Sequence, residues 1–126
     1  MFELTINNTV YQFRFGLGFV REINKTVQMD INGSKNAKKD AGLQFAVADL
    51  MDGNPVGLVE ILLTANKTES PRLSRNDLDA YIEDDSTDID ALFEDVLDFL
   101  RNANATKKTV AAVEEMVEQE RAKTAQ

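Results

Sequence analysis

The first fifteen residues alternate between apolar and polar side chains, which predicts two half-buried β-strands. The apolar positions are Phe2, Leu4 and Ile6 in the first strand and Tyr11, Phe13 and Phe15 in the second. Asn7 and Asn8 stand between the strands and tolerate the positive φ of a two-residue type I′ turn. Such a turn pairs Ile6 with Thr9, Leu4 with Tyr11 and Phe2 with Phe13. Because an isolated hairpin is marginal in water, we expect its continuous aromatic face to pack on the rest of the chain.

Six later segments carry apolar residues at helical spacing. Their apolar stretches are Phe19 to Val27, Leu43 to Leu50, Leu58 to Leu63, Leu78 to Ile82, Ile89 to Leu100 and Val110 to Val117. Residues that favour helix N-termini precede four of them, namely Asn54 before Pro55, Ser74, Ser86 or Thr87, and Thr106. The polar segment Gln28–Asp40 shows no period and predicts a loop. The pattern therefore predicts an α+β single domain, with an N-terminal β-hairpin packed on five to six helices.

Two stretches are similar to ligand-binding motifs but lack a required residue. Gly16 and Gly18 stand between a strand and a helix, as in a phosphate-cradling loop, but Arg21 occupies the place of the third glycine. The segment Asp84 to Asp95 spaces its oxygens like a calcium loop, but Ile89 stands where that loop needs glycine. We interpret the first as a strand-to-helix turn and the second as an acidic helix N-terminus, which the helix dipole favours.

Composition argues against several classes of function. The chain of 126 residues has a formal net charge of −8 and contains neither His nor Cys. An acidic chain is a poor ligand for nucleic acid or anionic lipid, and the missing side chains are the commonest catalytic bases and transition-metal ligands. No apolar stretch approaches the length of a membrane span. We therefore predict no catalytic residues, no cofactor, no metal site, and neither nucleic acid nor membrane as a partner.

The last two predicted helices carry more apolar surface than a small core obviously needs. We name as candidate protein-binding residues Leu92, Phe93, Val96, Leu97, Phe99, Leu100, Val110, Val113, Met116 and Val117. The Asn/Ala-rich break before Thr106 suggests a division into a hairpin and helical core domain (1–105) and a C-terminal amphipathic helix (106–126) that can detach. We expect the stripe from Val110 to Val117 to dock on a neighbouring subunit or client rather than complete the chain's own core.

The chain resembles the tail assembly chaperones of long-tailed phages and prophages of Gram-positive bacteria. Three stretches carry the resemblance: FELTINNTVYQFRFGLGFVREINK, GLQFAVADLMDGNPVGLVEILLTAN and DLDAYIEDDSTDIDALFEDVLDFLRNANATKKTV. The resemblance implies a non-enzymatic protein of the host cytoplasm, absent from the mature virion, that keeps the apolar tape measure protein soluble and promotes tail tube assembly around it. It implies a homo-oligomer, and a longer frameshifted form through which tail tube protein is recruited. The ending ERAKTAQ is similar to that of a short form.

The charge distribution supports one alternative function. The segment Glu69 to Asp98 contains eleven acidic residues and two basic ones, whereas residues 1 to 50 are close to neutral. Such a segment is typical of a phage-encoded inhibitor or DNA mimic that binds a basic host protein. Its carboxylates, however, are interleaved with a strong apolar stripe, which a rigid mimic of duplex DNA does not need.

Overall fold

The computed structural model describes residues 1–31 and 34–124. Their elements, in chain order, are β1 (Phe2–Ile6), β2 (Thr9–Phe13), α1 (Leu17–Asn24), β3 (Gln28–Ile31), β4 (Ser34–Asp40), α2 (Gly42–Met51), α3 (Pro55–Asn66), α4 (Arg75–Glu83), α5 (Ile89–Asn102) and α6 (Lys107–Thr124). The structure thus confirms an α+β single domain with an N-terminal hairpin and six helices. It also contains a second hairpin, which the sequence did not predict.

The N-terminal hairpin forms with the predicted register. Phe2 pairs with Phe13 and Ile6 with Thr9, while Asn7 and Asn8 take φ values of 53° and 64°, as a type I′ turn requires. The sheet is held to α3 by a hydrogen bond of 2.9 Å from the Arg14 backbone N–H to the carbonyl of Ala65. The aromatic face therefore covers the helices, as expected.

Asn66 connects this hairpin to the end of α3. Its side chain is fully buried; Nδ2 donates to the carbonyls of Gln12 (3.0 Å) and Pro71 (3.2 Å), and Oδ1 accepts from the Leu73 N–H (2.7 Å). Burial is tolerated because both polar atoms have partners. The helix ends at Asn66, and this residue joins three segments of the chain.

The prediction of a loop over Gln28–Asp40 is wrong, because this segment contains the antiparallel pair β3 and β4. Every residue of β3 is exposed, so this strand buries no face, although Met29 and Ile31 alternate with Gln28 and Asp30. An ion pair between Asp30 and Lys38 crosses the two strands. Residues 32 and 33 of the predicted loop lie outside the described residues.

A close crossing of α1 and α2 depends on Gly42. A Cβ added there would lie 1.7 Å from the carbonyl oxygen of Ile23, so only glycine fits. The Asn24 side chain completes the contact, since its Oδ1 accepts from the Leu43 N–H at 2.9 Å and satisfies one free donor of the first turn of α2.

The residues that cap the N-termini of α3 and α4 are the predicted ones, whereas the residue that caps α5 is not. Asn54 and Ser74 accept hydrogen bonds from the first turns of α3 and α4. At α5 the capping residue is Asp88, which accepts from Ala91 N–H at 3.1 Å, rather than Ser86 or Thr87. The Thr87 hydroxyl instead donates to the carbonyl of Tyr81, because α4 ends directly beside it.

The core lies between the hairpin β1–β2 and the helices, and α6 contributes to it. Val110 is fully buried and Val113 is 6% exposed, and the helix packs on both α2 and α5. The break before α6 is ordered by the buried Thr106, whose hydroxyl donates to the carbonyl of Leu100 at 2.6 Å. The expectation that the α6 stripe leaves the chain's own core is thus wrong for Val110 and Val113. The division at residue 105 remains a prediction.

Candidate protein-binding groove

An open cavity with a volume of about 560 Å³ lies between α2 and α6. Its apolar lining consists of Met29 from β3, Phe45 and Ala48 from α2, and Ala112, Val113, Met116 and Val117 from α6. Gln44, Asp52, Glu120 and Arg121 add polar groups to the same cavity. We refer to these residues as the α2–α6 groove.

The groove exists because α2 is apolar on more than one side. Leu43, Val47 and Leu50 point into the core, which leaves Phe45 and Ala48 on the outward side of the same helix. On α6, residues at positions 113, 116, 117 and 120 follow helical spacing and face them. The lining of α6 runs from Ala112 to Arg121, about 15 Å at the rise of an α-helix.

Three large apolar side chains in the groove are exposed to solvent. Met116 is 64% exposed, Phe45 46% and Met29 45%. Exposed apolar side chains that line one concave surface form a candidate binding site. Methionine is flexible and polarisable and adapts to apolar partners of varied sequence. The groove is therefore suited to an apolar segment of another protein.

The candidate binding residues of α5 occupy different environments. Leu92, Val96, Leu97 and Leu100 are buried in the core, and Phe93 is half-buried against it. Phe99 alone among them is substantially exposed, at 39%, and it lies at a second hollow away from the groove. The excess apolar surface of α5 is thus largely used inside the chain.

The α6 candidates divide at the middle of the helix. Val110 belongs to the core alone, Val113 lies at both the core and the groove, and Met116 and Val117 line the groove. The structure brings three of the ten candidates together in one open site. Their role in binding remains a prediction.

Three residues that line the groove were not predicted from the sequence: Met29, Phe45 and Ala48. Met29 lies in the segment that was interpreted as a loop. Phe45 was not predicted as a binding residue because the other apolar residues of α2 define the buried side of that helix. The available signal was the excess of apolar residues in GLQFAVADLM over what one helix face can hold.

One partly exposed ion pair holds α6 beside α5. The Arg101 guanidinium donates from Nε to Glu114 Oε1 at 3.1 Å and from a terminal nitrogen to Oε2 at 3.3 Å. These bonds raise the pKa of Arg101 above its ordinary value, with a smaller contribution from Asp98. The bidentate geometry fixes the orientation of the first half of α6, and with it one wall of the groove.

Within the described ranges, no cluster of three or more Asp, Glu, His or Cys side chains is arranged to hold a metal ion. No helix in the described part of the chain is long and apolar enough to cross a bilayer.

An open apolar groove on a small, mostly helical domain is typical of a protein that binds other proteins. The chain belongs to the phage tail assembly chaperone family: the family model described as "Phage tail assembly chaperone protein, TAC" matches residues 3–115. This confirms the resemblance seen in the sequence, and the family is not a catalytic one. Neither the curated proteins nor the solved structures gave a match. The family match includes Phe45 and Val113 and ends within α6, before Met116.

Proposed function

We propose that this chaperone binds apolar helical segments of the tape measure protein in the α2–α6 groove and keeps that protein soluble until tail tube protein assembles around it. The proposal rests on the exposed Met29, Phe45 and Met116 in one concave surface, together with family membership. A groove between two helices, about 15 Å long, has the dimensions of a site for two to three turns of a third helix.

Charge contributes solubility rather than recognition in this proposal. The chain carries a net charge of −8, and ten of its acidic side chains lie in α4, α5 and the turn between them, outside the groove. A complex that covers an apolar client with such subunits stays negatively charged and resists aggregation.

The proposal also covers where the protein acts and in which forms. The protein acts as several copies in the host cytoplasm and is absent from the mature virion. A longer frameshifted form recruits tail tube protein.

Co-expression with the tape measure protein of the same phage genome tests the proposal. The intact chaperone should move the tape measure protein from the insoluble to the soluble fraction and co-purify with it. Phe45→Glu and Met116→Glu should each abolish this effect, because each places a carboxylate in the apolar groove.

Val10→Glu is the matched control. Val10 is 48% exposed, close to the 46% of Phe45, but it lies on β2 and does not line the groove. Solubilisation that is equal in the presence and absence of the chaperone would refute the function. Solubilisation that survives both groove substitutions would refute the site.

A further inference from the structure

A smaller hollow, lined by residues of α1, α2 and α3, adjoins the α2–α6 groove at Phe45. It has a volume of about 170 Å³, and Val27, Phe45 and Val56 form apolar parts of its lining. Phe45 also lines the groove, so the two cavities share this side chain. Val56 is 69% exposed and stands at the opening towards solvent. We refer to this cavity as the Val56 hollow.

One carboxylate of the Val56 hollow has no counter-charge. Asp49 lines the hollow and is half-buried. Among the described residues, no hydrogen bond or ion pair to its carboxylate forms, whereas the Glu60 carboxylate in the same lining is paired with Arg75. Partial removal from water destabilises a charge that is not paired. A cation that enters the hollow would therefore find a partner in Asp49.

The packing of α3 on α2 places the Asp49 carboxylate in the hollow. A Cβ added at Gly57 would lie 2.7 Å from the Asp49 Cβ and 2.8 Å from its Oδ2, so a larger residue would displace this side chain. The N–H groups of Val56 and Gly57 donate to Asn54 Oδ1, at 3.1 and 3.4 Å. Asn54 thus caps α3, and the Asp49 carboxylate is not needed for that role.

The hollow combines an aromatic ring and a carboxylate on one side of α2. Phe45 and Asp49 stand one helical turn apart, on the same face. Arginine and lysine cover apolar surface with their long stems while the charged head stays with polar groups. A guanidinium also stacks on an aromatic ring and binds a carboxylate through two hydrogen bonds. The volume suits a single side chain, since a cavity of about 150 Å³ holds one benzene molecule.

We propose that the Val56 hollow is a subsite of the client site and takes an arginine or lysine side chain of the helix that lies in the α2–α6 groove. The stem packs on Phe45 and Val56, and the cationic head pairs with Asp49. This inference rests on the proposed function and deepens it, because it adds one charged contact to a groove that binds through apolar packing. The selected segments of the tape measure protein are then apolar helices with a basic residue beside the apolar positions.

Co-expression of tagged chaperone variants with the tape measure protein of the same phage genome tests the inference. The tape measure protein that stays bound through washing is quantified for each variant. Asp49→Asn should retain about a tenth of the wild-type amount, because it removes one partner of a half-buried charge pair. Asp79→Asn is the matched control and should retain the wild-type amount. Asp79 is also a half-buried aspartate, but it lies on α4 and lines neither cavity.

Opposite charges at position 56 provide the sharper test, and the exposure of Val56 makes both substitutions compatible with folding. Val56→Lys supplies Asp49 with a cation from the chain itself, so it should retain as little client as Asp49→Asn does. Val56→Glu removes the same apolar surface but adds a carboxylate, so it should retain several times more client than Val56→Lys. Val10→Lys adds the same charge at an exposed position of β2 and should retain the wild-type amount. Circular dichroism confirms that each variant is folded.

Two results would overturn the inference and leave the proposed function intact. One is wild-type retention by folded Asp49→Asn. The other is an equal loss in Val56→Lys and Val56→Glu, which would show that the hollow takes an apolar side chain. A wild-type chaperone that retains no tape measure protein would instead refute the proposed function, and the subsite with it.

Discussion

Val110 provides the most direct test of how α6 is held. Val110→Ala removes two carbon groups from a side chain with no exposed surface. At about 0.8 kcal/mol for each buried carbon, the transfer term is about 1.6 kcal/mol. The cavity left in the core, where α6 packs on α2 and α5, raises the expected loss of unfolding free energy to about 2–3 kcal/mol. For a domain of this size, the melting temperature should fall by about 8–11 °C.

The assay is thermal unfolding followed by circular dichroism, with Met116→Ala as the control on the same helix. Met116 is 64% exposed, so its replacement should change stability by less than about 0.5 kcal/mol. Met116→Ala should, however, reduce solubilisation of the tape measure protein. If Val110→Ala destabilises the protein no more than Met116→Ala does, α6 is not part of the core in solution. The expectation of a detached helix would then be correct.

Three further predictions concern contacts outside the groove. Asn66→Ala leaves the Gln12 and Pro71 carbonyls and the Leu73 N–H without their partner. The urea midpoint should therefore fall by the equivalent of about 3–5 kcal/mol of unfolding free energy. An unchanged midpoint would contradict this account. The Arg101 and Glu114 side chains are 39% and 33% exposed. A double-mutant cycle should give a coupling free energy of about 0.5–1 kcal/mol that weakens in high salt. A coupling free energy that does not change with salt would refute the electrostatic origin. Hydrogen bonds from Thr68 and Arg14 lower the pKa of Glu69 below its ordinary value of 4.5. The Glu69 carboxylate therefore stabilises the fold above pH 4.5, and this stabilisation is lost as the pH falls through the lowered pKa. Calorimetry should show Glu69→Gln less stable than the wild type at neutral pH, with the difference disappearing in acid; a difference that grows in acid would reverse the sign.

The register of the first hairpin could be predicted because local chemistry determines it. Two consecutive Asn residues favour positive φ, and the period of two then leaves one alignment that keeps Phe2 and Phe13 on the same face. The second hairpin has no such signal. Every residue of β3 is exposed, so no buried face requires apolar residues there, and the pattern of an exposed strand resembles that of a loop.

The burial of α6 could not be derived from its pattern for a different reason. An apolar stripe shows that one face of a helix packs against another surface, but it does not identify that surface. The surplus of apolar residues on α5 suggested that the core was complete without α6. In the structure, α6 packs on α5, and Val110 and Val113 join the apolar residues of α5 in the core. The exposed apolar surface lies on α2 instead, at Phe45.

The stripe of α6 connects the stability of the fold to the proposed binding site. Its first half is buried in the core, at Val110 and Val113, and its second half lines the groove, where Met116 is exposed and Val117 is partly buried. Because a helix is rigid over this length, the packing of the first half and the Arg101–Glu114 ion pair determine where the second half stands. A client in the groove would contact α2 and α6 together, so it would stabilise the docked position of α6 by mass action. The proposed binding would therefore be coupled to the anchoring of α6, and weakening the anchor should lower client affinity even when no groove residue is changed.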